Sequence, residues 1–317
     1  MINEFLSGKE MQEAYAAIEF EWNNSEVISF QTSGSTGTPK VITFTKEQVI
    51  RSAERTAEFF NLKENAEVFC ALPSIYVAGK MMALRAIILN WNLTWQSPSS
   101  SPKIEGTYDF AAFTSQQISQ MLASSPTSLN SIQKVLLGGG PLSERATGLL
   151  QNVSTNIFEG YGMTETLTHV AMRNVKEQSF FCALKGVQFT QSEKGNLVIE
   201  DSWLNLPAFE TNDIVEFVED GFTVLGRTDH VIISGGVKFF PEELERKLSQ
   251  VILQPFYISS FPDEVLGQKI VLFVEGDTLD FQLEKINQLD LGIGKPREII
   301  CKPKFNRTAS GKIIRES

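Results

Sequence analysis

Short apolar runs alternate with helix-patterned stretches through most of the first 200 residues of this 317-residue chain. No other feature constrains its fold as much. Residues 27–30 and 41–45 read as strands joined by a Gly/Ser/Thr turn. Residues 46–60 read as a helix, because Val49, Ile50, Ala53, Ala57 and Phe60 recur near helical spacing. A strand at 68–72, a helix at 80–90 and a strand at 93–96 follow, then a polar break at 97–102. The segments 108–113, 115–123, 134–137, 142–151 and 156–158 continue the alternation. This order predicts an α/β fold built on a layered sheet.

After Gly195 the texture changes. Residues 196–200 and 213–218 read as strands, Glu219-Asp220-Gly221 as a turn, and 222–225 as the returning partner. Pro241 and the acids Glu242 and Glu243 suit a helix start, and Leu244 and Leu248 share one face. Residues 271–274 read as a further strand. A boundary near 227–230 therefore divides a large domain, 1–228, from a small α+β domain, 229–317. No long Gly/Pro/Ser linker marks it, so a hinge there is short. The length supports about two domains.

The charge balance narrows the function. With 28 Lys and Arg against 38 Asp and Glu, the net charge is −10. Such a chain is poorly suited to wrapping nucleic acid or coating an anionic membrane. Anionic ligands would need local Lys, Arg and backbone N–H groups. Cys70, Cys182 and Cys301 lie far apart and near neither His169 nor His230, so neither a disulfide framework nor a zinc site is expected. The most apolar stretch, 76–91, is interrupted by Lys80 and Arg85 and is short for a bilayer. Residues 1–26 carry frequent acids and no apolar signal core. A cytoplasmic protein with no membrane insertion is the expectation.

Five segments carry the chemistry. Thr32-Ser33-Gly34-Ser35-Thr36-Gly37-Thr38-Pro39-Lys40 combines permissive glycines, hydroxyls and a charge that together could wrap a polyphosphate. Its spacing is neither that of a Walker A loop nor that of a nucleophile elbow. Gly138-Gly139-Gly140-Pro141 follows an apolar run, as a strand-end loop would. Tyr161-Gly162-Met163-Thr164-Glu165-Thr166 offers an aromatic face, hydroxyls and a carboxylate. Gly226-Arg227-Thr228-Asp229, followed by Ser234-Gly235-Gly236, sits at the proposed boundary. Asn306-Arg307-Thr308-Ala309-Ser310-Gly311-Lys312 lies near the C-terminus. Singly, each has a plain structural reading: a turn, a core tyrosine, a solvated tail.

Jointly, and in this order, they resemble the adenylate-forming superfamily of acyl-CoA synthetases, peptide-synthetase adenylation domains and luciferases. The resemblance runs from Thr32 to Lys312. It implies a large α/β domain with a shortened front end, since 31 residues precede Thr32 where most relatives carry well over a hundred. It also implies a small mobile C-terminal domain, ATP, Mg²⁺ and CoA as cofactors or co-substrates, and a small-molecule carboxylic acid as substrate. On that resemblance Thr32, Ser33, Gly34, Ser35, Thr36, Gly37 and Lys40 cradle the outer phosphates. Gly139 and Gly140 line the adenine slot, where glycine allows close approach. Tyr161, beside Gly162, stacks on the base. Thr164 donates to the α-phosphate and Glu165 holds Mg²⁺. Asp213 and Arg227 lie at the ribose, Asp229 is the hinge, Gly235 and Gly236 adjoin the CoA tunnel, and Lys312 bridges carboxylate and α-phosphate.

The motif Leu72-Pro73-Ser74-Ile75-Tyr76-Val77-Ala78-Gly79 has Tyr76 where relatives usually carry His. Ser74, Tyr76 and Lys80 are the candidate acid-binding residues. Within the family, 74–85 and 233–238 are most like members that activate an aromatic keto-diacid, whose second carboxylate Lys80 or Arg85 could hold. Against that, Lys80 could simply flank a helix and Arg85 could reach out to solvent. An aryl or short-chain acyl-CoA synthetase is the alternative acid specificity. A non-catalytic nucleotide-binding module is the alternative class.

Overall fold

The computed structural model describes residues 8–32, 40–276, 283–308 and 313–315. They form two compact units. One comprises Met1–Leu142, Ala146–Phe189 and Ile199–Ala208; the other comprises Ser143–Arg145, Thr190–Val198 and Phe209–Ser317.

The first unit begins with helix α1 (Lys9–Asn24), which the sequence reading did not anticipate. Met11, Tyr15 and Ile18 nevertheless mark its buried face at spacings of four and three. Strands β1 (Val27–Gln31) and β2 (Val41–Thr45) pair antiparallel as an isolated ribbon. Helix α2 (Lys46–Phe60) starts on a capping box. The Thr45 hydroxyl accepts from the Gln48 N–H at 3.2 Å, and Gln48 Oε1 accepts from the Thr45 N–H at 2.9 Å.

A seven-stranded sheet follows. Its strands are β3 (Glu67–Cys70), β4 (Asn92–Trp95), β5 (Tyr108–Thr114), β6 (Ile132–Gly138), β7 (Asn156–Gly162), β8 (His169–Asn174) and β9 (Cys182–Ala183), in the order β4-β3-β5-β6-β7-β8-β9. Strands β3 to β7 are mutually parallel; β8 runs antiparallel to β7, and β9 antiparallel to β8. Helix α3 (Val77–Leu89) starts three residues before the predicted Lys80, because Tyr76 is its N-cap. A second capping box, Thr114 with Gln117, opens α4 (Ser115–Ser124). Helix α5 spans Glu144–Leu149.

Alternation along the strands sends two sets of side chains to opposite faces. Phe69, Ala111, Phe113, Val135, Leu137 and Ile157 pack with Ile118, Met121 and Leu122 of α4. On the other face Phe60 of α2 meets Phe110 and Phe158, with ring centroids 4.8 and 5.5 Å apart. Helices on both faces of a largely parallel sheet give the layered architecture the alternation predicted.

Strands β10 (Val187–Gln191), β11 (Asn196–Asp201), β12 (Leu206–Val218) and β13 (Gly221–Arg227) form a four-stranded sheet in that order. In the second unit β14 (Ile232–Ser234), β15 (Val237–Phe239), β16 (Phe256–Asp263), β17 (Gly267–Glu275) and β18 (Glu298–Lys302) make a five-stranded sheet. Helices α6 (Pro241–Leu248) and α7 (Leu283–Gln288) belong with it. Leu244, Leu248, Ile258, Ile270, Leu272 and Val274 form one apolar layer, and Tyr257, Val271, Phe273 and Phe305 form another. Pro241 is the first residue of α6, as its fixed φ favours. Among the described residues no helix is long and apolar enough to cross a membrane.

Candidate active site

The parallel strands end at one edge of the seven-stranded sheet. Cys70 is opposite Ala112, Thr114 opposite Gly138 and Leu137 opposite Glu159. The segments after β3, β5, β6 and β7 therefore emerge together. They carry Ser74 and Tyr76, Thr114, Gly139 and Gly140, and Thr164 and Glu165 respectively. The chain leaves β3 for β4 on one side and returns as β5 on the other, which puts a topological switch at this edge. Crevices outside the carboxyl ends of such strands are where open α/β sheets bind ligands.

Gly139 and Gly140 adopt φ +84° and +128°. A Cβ on Gly139 would meet only Thr114 Cγ2 at 4.0 Å, and one on Gly140 would meet nothing within 4 Å. Within this chain, backbone conformation is what requires glycine at both positions. At Gly162 the opposite holds: a Cβ would lie 2.1 Å from the Thr168 carbonyl oxygen. Strand β7 runs through Gly162, four residues beyond the predicted end. Tyr161 therefore sits on a strand, with its ring 5.7 Å from that of Phe181. Arg173 lies over Phe181 at 5.1 Å and pairs with the buried Glu159 at 2.5 Å. Burial pushes the Glu159 carboxyl up, and Arg173 opposes this.

Thr164 is buried and Glu165 half-buried on a short 3₁₀ turn. Among the described residues Glu165 has no ion-pair partner. Immediately beyond, Leu167 has φ +64° and ψ −43°, and the Thr168 N–H donates to the Thr166 carbonyl at 2.8 Å. These features define a γ-turn with positive φ, a strained conformation. Leu167 is fully buried and holds it. Nothing in the sequence signalled this turn.

Ser33, Gly34, Ser35, Thr36 and Gly37 lie outside the described residues. Both ends of their loop are described. The Thr32 N–H donates to the Lys40 carbonyl at 2.8 Å, and the Lys40 N–H donates to Thr32 Oγ1 at 2.9 Å. These reciprocal bonds close the neck of the loop and engage the Thr32 hydroxyl. A backbone bridge between Gln31 and Tyr76 sets the neck beside the segment after β3. Gly79 allows α3 to start there, because a Cβ would lie 2.2 Å from the Pro73 carbonyl oxygen.

Two basic residues of α3 have different surroundings. Lys80 donates to Glu21 Oε2 at 2.5 Å and to the Ser29 carbonyl at 2.7 Å. It lines an open, mainly apolar cavity of about 430 Å³ together with Ser74, Ile75, Phe30 and Ile18. Its charge is already matched. Arg85 does not reach solvent as its snorkelling reading expected: it is 1% exposed. Among the described residues no carboxylate pairs with it. Its contacts are Thr168 Oγ1 at 3.3 Å and Met82 Sδ at 4.0 Å, and its Nε has no partner. Burial, with Arg55 adding like-charge repulsion, lowers its pKa to about 9, so it remains a cation at neutral pH.

Arg55 pairs with Asp201 at 2.7 Å, so its charge is matched, although its Nε too has no partner among the described residues. The Thr56 hydroxyl donates to the Ser52 carbonyl at 3.0 Å, so it accepts from His169 Nε2 at 3.1 Å. Burial and then Arg85 and Arg55 hold His169 well below its usual pKa of 6.5, hence neutral. Ser52 Oγ is 3.1 Å from Thr168 Oγ1. Thr168 thus joins Arg85 to the segment after β7. Its role had no sequence signal.

In the second unit Arg227 is opposite Asp213 across β12 and β13. It donates to Asp213 Oδ1 at 3.3 Å and forks onto Asp229, with both bonds at 2.9 Å. The Asp229 carboxyl stays below its ordinary range: burial raises it, and the bonds and charge of Arg227 outweigh that. Asp213, Arg227 and Asp229 thus form one cluster in the fold. Gly235 and Gly236, at φ +59° and +80°, form the two-residue turn between β14 and β15. Lys312 lies outside the described residues.

The carboxyl edge of the seven-stranded sheet, with its glycine turn and aromatic-hydroxyl-carboxylate segment, fits the nucleotide-using ligases of the adenylate-forming class that the sequence resembles. Residues 19–185 match the AMP-binding enzyme family, and the chain belongs to it. A 2-succinylbenzoate–CoA ligase of Listeria monocytogenes (strain EGD-e) is 27% identical over 93% of this chain and 70% of its own. An acyl-CoA synthetase (AMP-forming)/AMP-acid ligase II-like protein of Dyadobacter fermentans has a solved structure 30% identical, covering 98% of this chain and 94% of that one, with TM-score 0.65. The o-succinylbenzoate CoA synthetase of Bacillus subtilis, solved with ATP and magnesium, superposes with TM-score 0.78 at 19% identity, covering 90% and 68%.

Proposed function

We propose that this ligase activates o-succinylbenzoate with ATP through an acyl-adenylate and transfers the acyl group to CoA, the step used in menaquinone biosynthesis. A carboxylate is a poor electrophile because it is anionic and its leaving group is oxide. In the first step a carboxylate oxygen attacks the α-phosphorus, the bond to the β-phosphate oxygen breaks, and pyrophosphate leaves. In the second, the CoA sulfur attacks the acyl carbon, its proton goes to solvent, and AMP leaves with the electron pair.

The residue roles follow the family resemblance. The 32–40 loop surrounds the outer phosphates, and its neck bonds support that role. Gly139, Gly140 and Tyr161 take the adenine, the tyrosine through its ring face. Thr164 donates to the α-phosphate oxygen. Glu165 fits Mg²⁺, since magnesium is commonly bound by one or two carboxylates plus phosphates and water. The ion, when bound, neutralises phosphate charge. Asp213 accepts from the ribose hydroxyls, with Arg227 beside it. Asp229 serves as hinge for a mobile domain from 229 to 317. Gly235 and Gly236 turn the segment that faces CoA, and Lys312 bridges the two reacting anions. A cytoplasmic location fits a reaction that consumes ATP and CoA.

One observation supports the choice of acid: Arg85, a buried cation with no carboxylate partner among the described residues, tied through Thr168 to the segment that bears Thr164 and Glu165. A monocarboxylic acid leaves such a charge unmatched. A dicarboxylic acid brings a second anion to pair with it. Lys80, already paired with Glu21, is less suited to that task, and Ser74 and Tyr76 remain candidates for the keto oxygen. Pyrophosphate release should therefore be strong with o-succinylbenzoate and weak with benzoate, short-chain acids and fatty acids. A preference for any monocarboxylic acid overturns the assignment of the acid. Silence with every acid favours a non-catalytic nucleotide module.

A further inference from the structure

The turn Gly235-Gly236 between β14 and β15 rests on the tip of the β16–β17 hairpin. The Gly235 N–H donates to the Leu266 carbonyl at 2.9 Å, and a Cβ on Gly235 would lie 3.5 Å from Leu266 Cδ2. At Gly236, by contrast, a Cβ would meet nothing within 4 Å among the described residues, so the turn is open there. The hairpin tip is itself fixed. Asp263 Oδ1 accepts from the N–H groups of Val265 at 3.0 Å and Leu266 at 2.8 Å. Gly267, opposite Asp263, takes φ +75° and completes the tip.

Backbone pairing between β14 and β17 is brief, with Ser234 opposite Gly267. The residue before it, Ile233, donates its N–H to a side chain instead: Gln268 Oε1, at 2.7 Å. The other end of the same amide, Nε2, donates to Ser260 Oγ at 3.1 Å. Ser260 belongs to β16, where it faces Ile270 of β17. A primary amide carries both an acceptor and donors, so it can serve two strands at once. Gln268 thus stands in for a rung of the backbone ladder. It ties β14 to both strands of the hairpin and gives a partner to an N–H that a sheet must otherwise satisfy elsewhere.

We infer that Gln268 is a positioning residue for thioester formation: its amide fastens the strand that enters the Gly235-Gly236 turn to the β16–β17 hairpin, and so sets where that turn meets the thiol substrate. This rests on the reading of Gly235 and Gly236 as the segment that faces CoA. Two glycines have wide backbone freedom and no side chains to pack, so the place of their turn depends on the bonds at its base. Two extended residues span about 7 Å, so a shift at Ile233 reaches Gly235 with little slack. The bond from Gly235 to Leu266 holds the near end, and the bond from Ile233 to Gln268 sets the direction of approach. On that reading the turn serves the thiol step alone, so the loss of Gln268 leaves adenylation in place.

The test compares Gln268→Leu, Gln268→Glu and Ser260→Ala by two readouts. Thioester formation from supplied acyl-adenylate and CoA should slow about tenfold in Gln268→Leu, the rate equivalent of one net hydrogen bond. Gln268→Glu keeps an acceptor for the Ile233 N–H and can accept from the Ser260 hydroxyl, so it should stay within about twofold of the parent. Ser260→Ala, which frees one end of the bridge, should fall between. Pyrophosphate released in a single turnover without CoA should stay within about twofold in all three. Hydrogen exchange supplies the second readout. The Ile233 and Gly235 amides should exchange faster in Gln268→Leu, while that of Leu272 in the middle of β17 keeps its protection. Equal slowing of both half-reactions, loss in Gln268→Glu as large as in Gln268→Leu, or unchanged exchange at Ile233 overturns the positioning role. Should the parent itself form no thioester with CoA, the reading of the turn falls and the positioning role falls with it; a working parent with Gln268→Leu unimpaired overturns the positioning role alone.

Discussion

Arg85 shows why single residues here are poorly read from sequence. On the chain it is one cation in an apolar stretch, and a long side chain usually lifts its charge to water. In the fold it is enclosed between α2, α3 and the γ-turn, with Thr168 as its hydrogen-bonded neighbour. A buried charge without an opposite charge beside it destabilises the protein that carries it. Arg85→Met should therefore raise the unfolding free energy obtained from urea titration by about 1–3 kcal/mol, the usual penalty of an unsatisfied buried polar group. The same change should raise KM for the diacid at least about tenfold, since a buried charge pair lost on one side costs about 2–5 kcal/mol. Gain of stability with unchanged KM would remove Arg85 from the acid site. His169 gives a pH prediction. Its folded pKa lies well below the unfolded value of 6.5, so the unfolded chain binds the extra proton. The stabilising effect of keeping it neutral is full above 6.5 and is lost as pH falls below it, by about 1.4 kcal/mol per unit. Denaturation of parent and His169→Asn between pH 7 and pH 5 should differ by that slope. Parallel curves would contradict the burial argument.

At the scale of elements, local chemistry written in adjacent residues was legible. The apolar spacing of 46–60 and the run at 41–45 match α2 and β2, and the structure adds capping boxes, Thr45 with Gln48 and Thr114 with Gln117, at two helix starts. Pro241 marks the start of α6 in the same way. What failed depended on partners distant in sequence. Strand β7 continues through Gly160-Tyr161-Gly162 because β8 pairs with it, and glycines are poor strand formers alone. Helix α1 has a weak sequence signature, because its frequent acids dilute the apolar stripe of Met11, Tyr15 and Ile18. The loop necks and the γ-turn arise from contacts that no spacing encodes. Two glycines separate these causes experimentally. Gly162→Ala forces a Cβ onto the Thr168 carbonyl and should destabilise by about 1–3 kcal/mol through overpacking, with loss of pyrophosphate release. Gly140→Ala meets no atom and should act only through its φ of +128°. Calorimetry on both, with equal tolerance as the contrary result, tests whether packing sets the position of the segment after β7.

For the whole molecule, the family was readable because five short segments keep their order over nearly the full chain, while the surfaces that support them do not keep any spacing. At the carboxyl edge of the layered α/β sheet emerge the segments that carry Gly139, Gly140, Thr164 and Glu165, and the comparisons place the chain in the AMP-binding family. The acid is less legible, since it depends on the burial of one side chain. The central claim is that the chain joins acid to thiol by cleaving ATP at its α-phosphorus. Phosphorus NMR of a reaction containing the protein, ATP, Mg²⁺, CoA and o-succinylbenzoate tests it directly. The expected result is AMP and pyrophosphate in equal amounts, formed only when the acid is present. ADP with inorganic phosphate, or nucleotide cleavage indifferent to the acid, would contradict it.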